Sequence, residues 1–230
     1  MKTDSEEKII AQGYTSFLLN DFYISQLYNN RKKIYQVIEK NIEINVNTKI
    51  LDVGTAPNTE DHLNFFINAY PWIKNITCLS DQDCDALKLK YDEINILSGD
   101  ARKIDLPNAS FDIVHSHATI EHIGNANDQM DMIKECVRVA KEKVFIVTPN
   151  RYFPFDFHTK LPFIHMLPKT IHRKILYLFG ENFFRFEKNL NLLSKKDLIK
   201  FCDKSNIKKY KIIVHKFFLL PANLILVINK

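Results

Sequence analysis

Three groups of residues in this 230-residue chain could do chemistry. The first is the run Asp52-Val53-Gly54-Thr55-Ala56-Pro57-Asn58, which follows the short apolar segment Lys49–Val53. A strand that ends in glycine lets backbone come close to a ligand, because no Cβ intervenes. Ala56 is still small, Asn58 tolerates left-handed backbone, and Pro57 removes one N–H donor. The second group is acidic. Asp81, Asp83 and Asp85 form a row that suits the positive end of a helix, and Asp100 closes an apolar run beside Ala101. The third group is rich in histidine: His117, the pair Glu121-His122, and His158 in Phe155-Asp-Phe-His-Thr-Lys160. Glutamate and histidine are metal donors, but two ligands alone rarely hold a divalent ion, so no metal is expected. His158 is the best-placed candidate for a general base, against the plainer reading of a packed histidine among aromatics.

These residues need a scaffold. Apolar residues at three- and four-residue spacing, through Phe17, Leu18, Phe22 and Leu27 and again through Ile34, Tyr35, Val37 and Ile38, predict helix over 5–42. Strands are predicted at Lys49–Val53, Ile76–Leu79, Ile94–Ser98, Phe111–His115 and Lys143–Thr148. Helices are predicted at His62–Tyr70, stopped before Pro71, at Cys84–Tyr91, and at Asn127–Ala140, an amphipathic stretch. Strand and helix alternate, which implies a parallel sheet covered on both faces. Residues 151–188 break this rhythm with many aromatics and with Pro154, Pro162 and Pro168, and read as an insert. Ser194 is a good N-cap for a helix Lys195–Lys204, with an acid following at Asp197. Lys208–Phe218 and Asn223–Ile228 read as an antiparallel pair joined through Leu219–Ala222.

Length and composition suit one domain, 1–230, with a helical N-terminal cap over 1–45 and the insert at 151–188. Cys78, Cys84, Cys136 and Cys202 fit neither a CxxC pair nor a disulfide framework, so a reducing, cytoplasmic setting is expected. The N-terminus carries acids and lacks the apolar centre of a signal peptide. The most apolar run, Phe217–Ile228, is shorter than the ~20 residues of a membrane span. Charge is unevenly spread. Residues 1–150 hold 16 basic and 22 acidic side chains, whereas 151–230 hold 16 and 5. The C-terminal third therefore suits an anionic partner, although a solvated lysine-rich surface would look the same. Only six of the 32 basic residues are arginine, which argues against a nucleic-acid site.

Two segments together carry a resemblance. One is Lys49-Ile-Leu-Asp-Val-Gly54. The other runs from Gly99-Asp-Ala101 through Leu106-Pro107 and Ser110-Phe-Asp-Ile-Val114 to Glu121-His122. In that order they resemble the class I S-adenosylmethionine (SAM) dependent methyltransferases, in particular the methyltransferase type 11-like branch, over about residues 47–150. The resemblance implies a Rossmann-like, doubly wound, seven-stranded and mostly parallel α/β sheet with an antiparallel last strand, and SAM as cofactor. It places Asp52, Gly54, Thr55 and Ala56 at the methionine end of SAM. The family's ribose acid aligns with Ser80; Asp81 beside it is the expected ribose acid, with Asp83 a further option. The Asp100 carboxylate would take the adenine amino group while the Ala101 N–H faces a ring nitrogen, and His117 would lie near the methionine end. Quinone-pathway O-methyltransferases carry Glu-x-x-Glu-His at Glu121-His122; here the first glutamate position is Ala118.

The segment from Thr148-Pro-Asn-Arg-Tyr-Phe to Leu161-Pro-Phe-Ile-His-Met-Leu-Pro168 resembles methyltransferases of bacterial surface-polysaccharide gene clusters. The function implied is methyl transfer to a small-molecule, glycan or lipid-linked acceptor, with peripheral contact to an anionic membrane surface through the basic insert. Two alternatives stand beside it. One is a non-catalytic SAM- or nucleotide-binding protein on the same fold, suggested by the altered glycine turn. The other is an RNA methyltransferase. A base-methylating enzyme is disfavoured, because the stretch His115-Ser-His-Ala-Thr119 stands where an Asn/Asp-Pro-Pro-aromatic motif would be.

Overall fold

The computed structural model describes residues 20–230. The first part of the predicted N-terminal helix, including Phe17 and Leu18, lies outside the described residues. Within them, helix α1 spans Asn20–Glu39. It stops short of residue 42, where the Asn41 side-chain amide donates to the Val37 carbonyl at 2.6 Å and closes its last turn.

The sheet has seven strands: β1 (Ile50–Val53), β2 (Ile76–Ser80), β3 (Asn95–Ser98), β4 (Phe111–His117), β5 (Ala140–Pro149), β6 (Tyr210–Phe217) and β7 (Leu220–Asn229). Their spatial order is β3-β2-β1-β4-β5-β7-β6. β1 to β5 pair in parallel, and β7 lies antiparallel to both neighbours, β5 and β6. The helices are α2 (Phe65–Ala69), α3 (Asp85–Lys90), α4 (Ala126–Val139), α5 (Lys169–Leu178) and α6 (Lys195–Lys204). This is the predicted seven-stranded, mostly parallel sheet, and its antiparallel strand is the last in the chain.

The period-two alternation of the strands sorts the core into two layers. Ile50, Ile76, Cys78, Ile113, Phe145 and Val147 face α1 and α2, where they meet Ile34, Ile38, Phe65 and Phe66. Leu51, Val53, Leu79, Val114, Val144 and Ile146 face the other way, onto Met132, Ile133 and Cys136 of α4 and Leu198 and Phe201 of α6. Every residue of β1 and β2 is buried, the polar Asp52, Thr77 and Ser80 included, as parallel strands covered on both faces require.

Local chemistry corrects several predicted boundaries. The helix predicted from His62 starts only at Phe65. Asn64, just before it, donates its side-chain amide to the carbonyls of Ala56 (3.2 Å) and Asn58 (2.6 Å), which holds the preceding loop against the glycine turn. β5 extends beyond the predicted Lys143–Thr148 at both ends, to Ala140 and Pro149. The hairpin link is not Leu219–Ala222, because β7 begins at Leu220. It is the two residues Phe218 and Leu219, with φ of 46° and 67°. The cap expected at Ser194 is present: its Oγ accepts from the Asp197 N–H while Asp197 accepts from the Ser194 N–H at 2.8 Å.

Candidate active site

The carboxyl ends of β1 to β4 converge on one cavity of about 800 Å³. Ligands gather at this edge of an open parallel sheet. Asp52, Gly54, Thr55, Ala56, Ser80, Asp81, Asp100, Ala101, His117 and His158, the residues singled out from the sequence, all line it.

The β1 turn is built from the inside. Gly54 sits at φ +82°, and a Cβ there would collide with the Thr119 side chain. Glycine is therefore required by the approach of the β4 loop as well as by backbone conformation. Gly54 N–H donates to the Leu79 carbonyl at 2.8 Å, and Thr55 Oγ1 donates to Asp52 Oδ2 at 2.7 Å. Asn58 does not use its tolerance for left-handed backbone, since Gly54 alone in this turn has positive φ. The departure from a glycine-rich pattern is accommodated by Asn64, which braces the carbonyls of Ala56 and Asn58.

Ser80 serves this same turn, donating its hydroxyl to the Thr55 carbonyl at 2.9 Å. Its neighbour Asp81 is exposed and borders the cavity. Asp83 instead accepts from the Asp85 N–H at 2.9 Å, a local turn at the start of α3. At the end of β3 the Asp100 carboxylate is not waiting open. Arg102 meets it through Nε, 3.0 Å from each oxygen, and through Nη2 at 2.6 Å. The Arg102 backbone N–H also donates to Oδ1 at 2.8 Å, so this one residue engages both carboxylate oxygens.

Some of the cavity's residues carry no sequence signal of their own. His115 stands directly across from Asp52 in the β1–β4 register, with Nδ1 2.6 Å from Asp52 Oδ1, and stacks on Phe66 at 4.0 Å between ring centroids. Arg31 reaches the cavity from α1 and donates to the Leu63 carbonyl at 2.6 Å. Phe183 and Phe184 close it from the insert. Only pairing register and packing bring these side chains here. At the end of β4, burial holds His117 neutral, well below its ordinary pKa, with the charge of Arg31 acting in the same direction.

Beyond β4 and β5 lies a cluster of ionisable groups, of which His122 and His158 line the cavity. Glu121 is fully buried in a short 3₁₀ turn, and its Oε2 accepts from Thr148 Oγ1 at 3.0 Å. Gln129 and Asn191 fix that turn. Gln129 donates to the carbonyls of Ile120 and Asn191, both at 2.9 Å, and the Asn191 N–H donates to the Glu121 carbonyl at 2.7 Å. His122 Nδ1 lies 2.7 Å from the Asn189 carbonyl, which can only accept, so the proton sits on Nδ1 and the lone pair on Nε2. His158 Nδ1 lies 2.9 Å from Asp156 Oδ1. The other Asp156 oxygen accepts from Thr159 Oγ1 at 2.6 Å, so this carboxylate shapes the whole loop.

Burial raises the Glu121 carboxyl above its ordinary range, against the lowering effect of His158. Burial opposes charge on His158, but the hydrogen bond and charge of Asp156, with Glu121 adding to them, outweigh it and raise its pKa. Asp156 is held far below the usual carboxylate range: burial works against this, and His158 and Thr159 overcome it. Glu121, His122 and His158 each bring one donor atom within 4.8 Å of the others, a spacing that a metal ion could use. The expectation of no metal counted only Glu121 and His122. The third donor comes from 36 positions further along the chain, where spacing in sequence gives no hint.

SAM carries an amino group, a carboxylate, two ribose hydroxyls and an adenine edge. Acids stand at the ends of β1, β2 and β3 beside the cavity, and three of the residues that line it each carry a buried side-chain atom without a hydrogen-bond partner: Asn58 Oδ1, Gln82 Oε1 and His115 Nε2. Such atoms are rare unless a ligand or water completes them, so the residues present fit a polar cofactor.

Comparison with known proteins agrees with this geometry. Residues 73–148 match the family model described as "Methyltransferase domain". A Mycolicibacterium smegmatis protein described as "Probable S-adenosylmethionine-dependent methyltransferase" is 37% identical over 67 residues, which cover 28% of this chain and 25% of that one. The match thus spans only about a quarter of the length of that curated relative. Among solved structures, a SAM-dependent methyltransferase from Aquifex aeolicus superposes with a TM-score of 0.59 at 13% identity, covering 99% of each chain. Magnesium protoporphyrin IX methyltransferase from Synechocystis PCC 6803, solved with bound SAH, superposes at 0.60 and 9% identity, covering 98% of this chain and 95% of that one. The fold is therefore that of the class I SAM-dependent methyltransferases.

Proposed function

We propose that this chain is a SAM-dependent methyltransferase that acts on a hydroxyl of a small-molecule, glycan or lipid-linked acceptor. The observation that carries the reading is one cavity that joins the ends of β1 to β4, on the cofactor side, to His158, held by Asp156, on the acceptor side. The match of residues 73–148 to a methyltransferase domain supports it. We take 1–230 as one domain, with 1–45 as a helical cap, 151–188 as an acceptor-side insert, and a cytoplasmic location. Four cysteines, all buried and unpaired, support a reducing setting. The likeness of the insert to methyltransferases of surface-polysaccharide clusters belongs to the same proposal.

In this reading Gly54, Thr55 and Ala56 border the methionine end of SAM. Asp81 accepts from the ribose, and Asp100 with Ala101 meets the adenine edge. Bound SAM supplies an electrophilic methyl on a sulfonium. The protein's share is then to position the acceptor, exclude water and take a proton. His158 Nε2 takes the acceptor's hydroxyl proton, and Asp156 holds the ring and stabilises the imidazolium that results. Glu121 adds negative charge beside that imidazolium. Phe183 and Phe184 supply an apolar wall. Against the rival reading, a non-catalytic protein with a degenerate glycine turn, stands the order that Asn64 gives that turn through the Ala56 and Asn58 carbonyls.

Titration calorimetry with SAM and with SAH tests the cofactor half: one site per chain is expected, and no binding of either at millimolar concentration ends the reading. Labelled SAM offered with a lysate, followed by mass spectrometry of the methylated fraction, tests the transfer half.

A further inference from the structure

Two apolar tips are exposed to solvent. One is the β6–β7 hairpin tip, where Phe218 is 69% and Leu219 88% exposed. The other is the end of α5, where Leu178 is 80% and Phe179 71% exposed. The hairpin and the insert that carries α5 both begin beside the end of β5. The Asn150 N–H donates to the Ala222 carbonyl and its side-chain amide to the Pro221 carbonyl, each at 2.8 Å, so the root of the insert is tied to the base of the hairpin.

The hairpin tip is costly for the fold. Both turn residues have positive φ, a conformation that Asn-Gly adopts readily and that Phe and Leu resist. Exposed apolar side chains held in strained backbone do not stabilise an isolated molecule. Charge points to the occupant. No acid occurs between Asp156 and Glu181, and none after Asp203. Exposed lysines, Lys174 on α5 and Lys216 on β6, flank the apolar tips. A symmetric contact with a second copy would set lysine against lysine. An anionic bilayer accepts apolar side chains at its interface and attracts the lysines around them.

We propose that the hairpin tip Phe218–Leu219 and the end of α5 dock this protein on an anionic lipid surface, with the cavity's edge of the sheet turned toward it. No described helix is long and apolar enough to cross a membrane, so the contact is peripheral. This inference does not depend on methyl transfer.

Flotation of the full chain with phosphatidylcholine vesicles, with and without phosphatidylglycerol, tests it. Binding is expected only where phosphatidylglycerol is present, and high salt should release the protein. The double variant Phe218→Asn/Leu219→Gly removes the apolar tip and supplies the residues that the turn conformation prefers. It should melt no lower than the parent, yet bind anionic vesicles about tenfold or more weakly. Absence of binding to either vesicle type, equal binding to both, or unchanged binding of the double variant overturns the proposal. So does a dimer, seen by sizing, that the double variant dissociates. SAM calorimetry on the same variant should be unchanged, so failure of lipid docking and failure of the methyltransferase reading are read separately.

Discussion

Asp52 and His115 face each other across the β1–β4 pairing, with the carboxylate Oδ1 2.6 Å from Nδ1 and both side chains buried. The same carboxylate accepts from Thr55 Oγ1 on its other oxygen, so one acid fixes both the turn after β1 and the ring on β4. Asp52→Ala removes the carboxylate partner of His115 and leaves Thr55 Oγ1 only the longer bond to the residue-52 carbonyl, at 3.2 Å. A loss of about 1–3 kcal/mol in folding stability is expected, the cost of orphaning a buried hydrogen-bonding group. Urea unfolding of parent and variant measures it, and an unchanged midpoint would show that the pair contributes nothing to stability.

Asp100 is half-exposed, so Asp100→Ala should leave the fold intact. SAM affinity is expected to fall by about 1–3 kcal/mol if this carboxylate reads the adenine amino group. Calorimetry gives the answer directly. Equal affinity in parent and variant would mean that the carboxylate serves only Arg102.

The Asp156–His158 pair makes a kinetic prediction. His158→Phe should lower kcat by about 10²–10⁴-fold, the usual worth of a positioned base, with SAM affinity unchanged. A base must be neutral to act. Because the pKa of His158 is raised, kcat/KM should climb with pH through a limb above the ordinary histidine value. Asp156→Asn removes the charge that raises it and leaves burial in control, so the limb should move to lower pH. A limb that stays in place in Asp156→Asn would exclude His158 as its source.

Chelation separates two uses of the Glu121–His122–His158 cluster. A base at His158 needs no metal, so activity is expected to survive EDTA and dialysis. Activity lost on chelation and restored by a divalent ion would instead make the cluster a metal centre.

The sequence by itself determined the scaffold and the wall of the cavity formed by the ends of β1 to β3. Strand–helix alternation is local, and Gly54, Asp81 and Asp100 stand at element ends that follow from apolar periodicity. The acids are readable because their position relative to a strand end is a matter of one or two residues. Tertiary structure decided the rest. His115 became Asp52's partner through strand register, which links positions 63 apart and leaves no periodic trace. Arg31 entered the cavity only when α1 packed on the sheet, and Arg102 claimed the Asp100 carboxylate through side-chain geometry that spacing does not fix. His158 joined Glu121 and His122 because the insert folds back over the edge of the sheet. An irregular loop of that kind is set by hydrogen bonds such as those of Asp156 and by packing on Phe184, neither of which repeats along the chain.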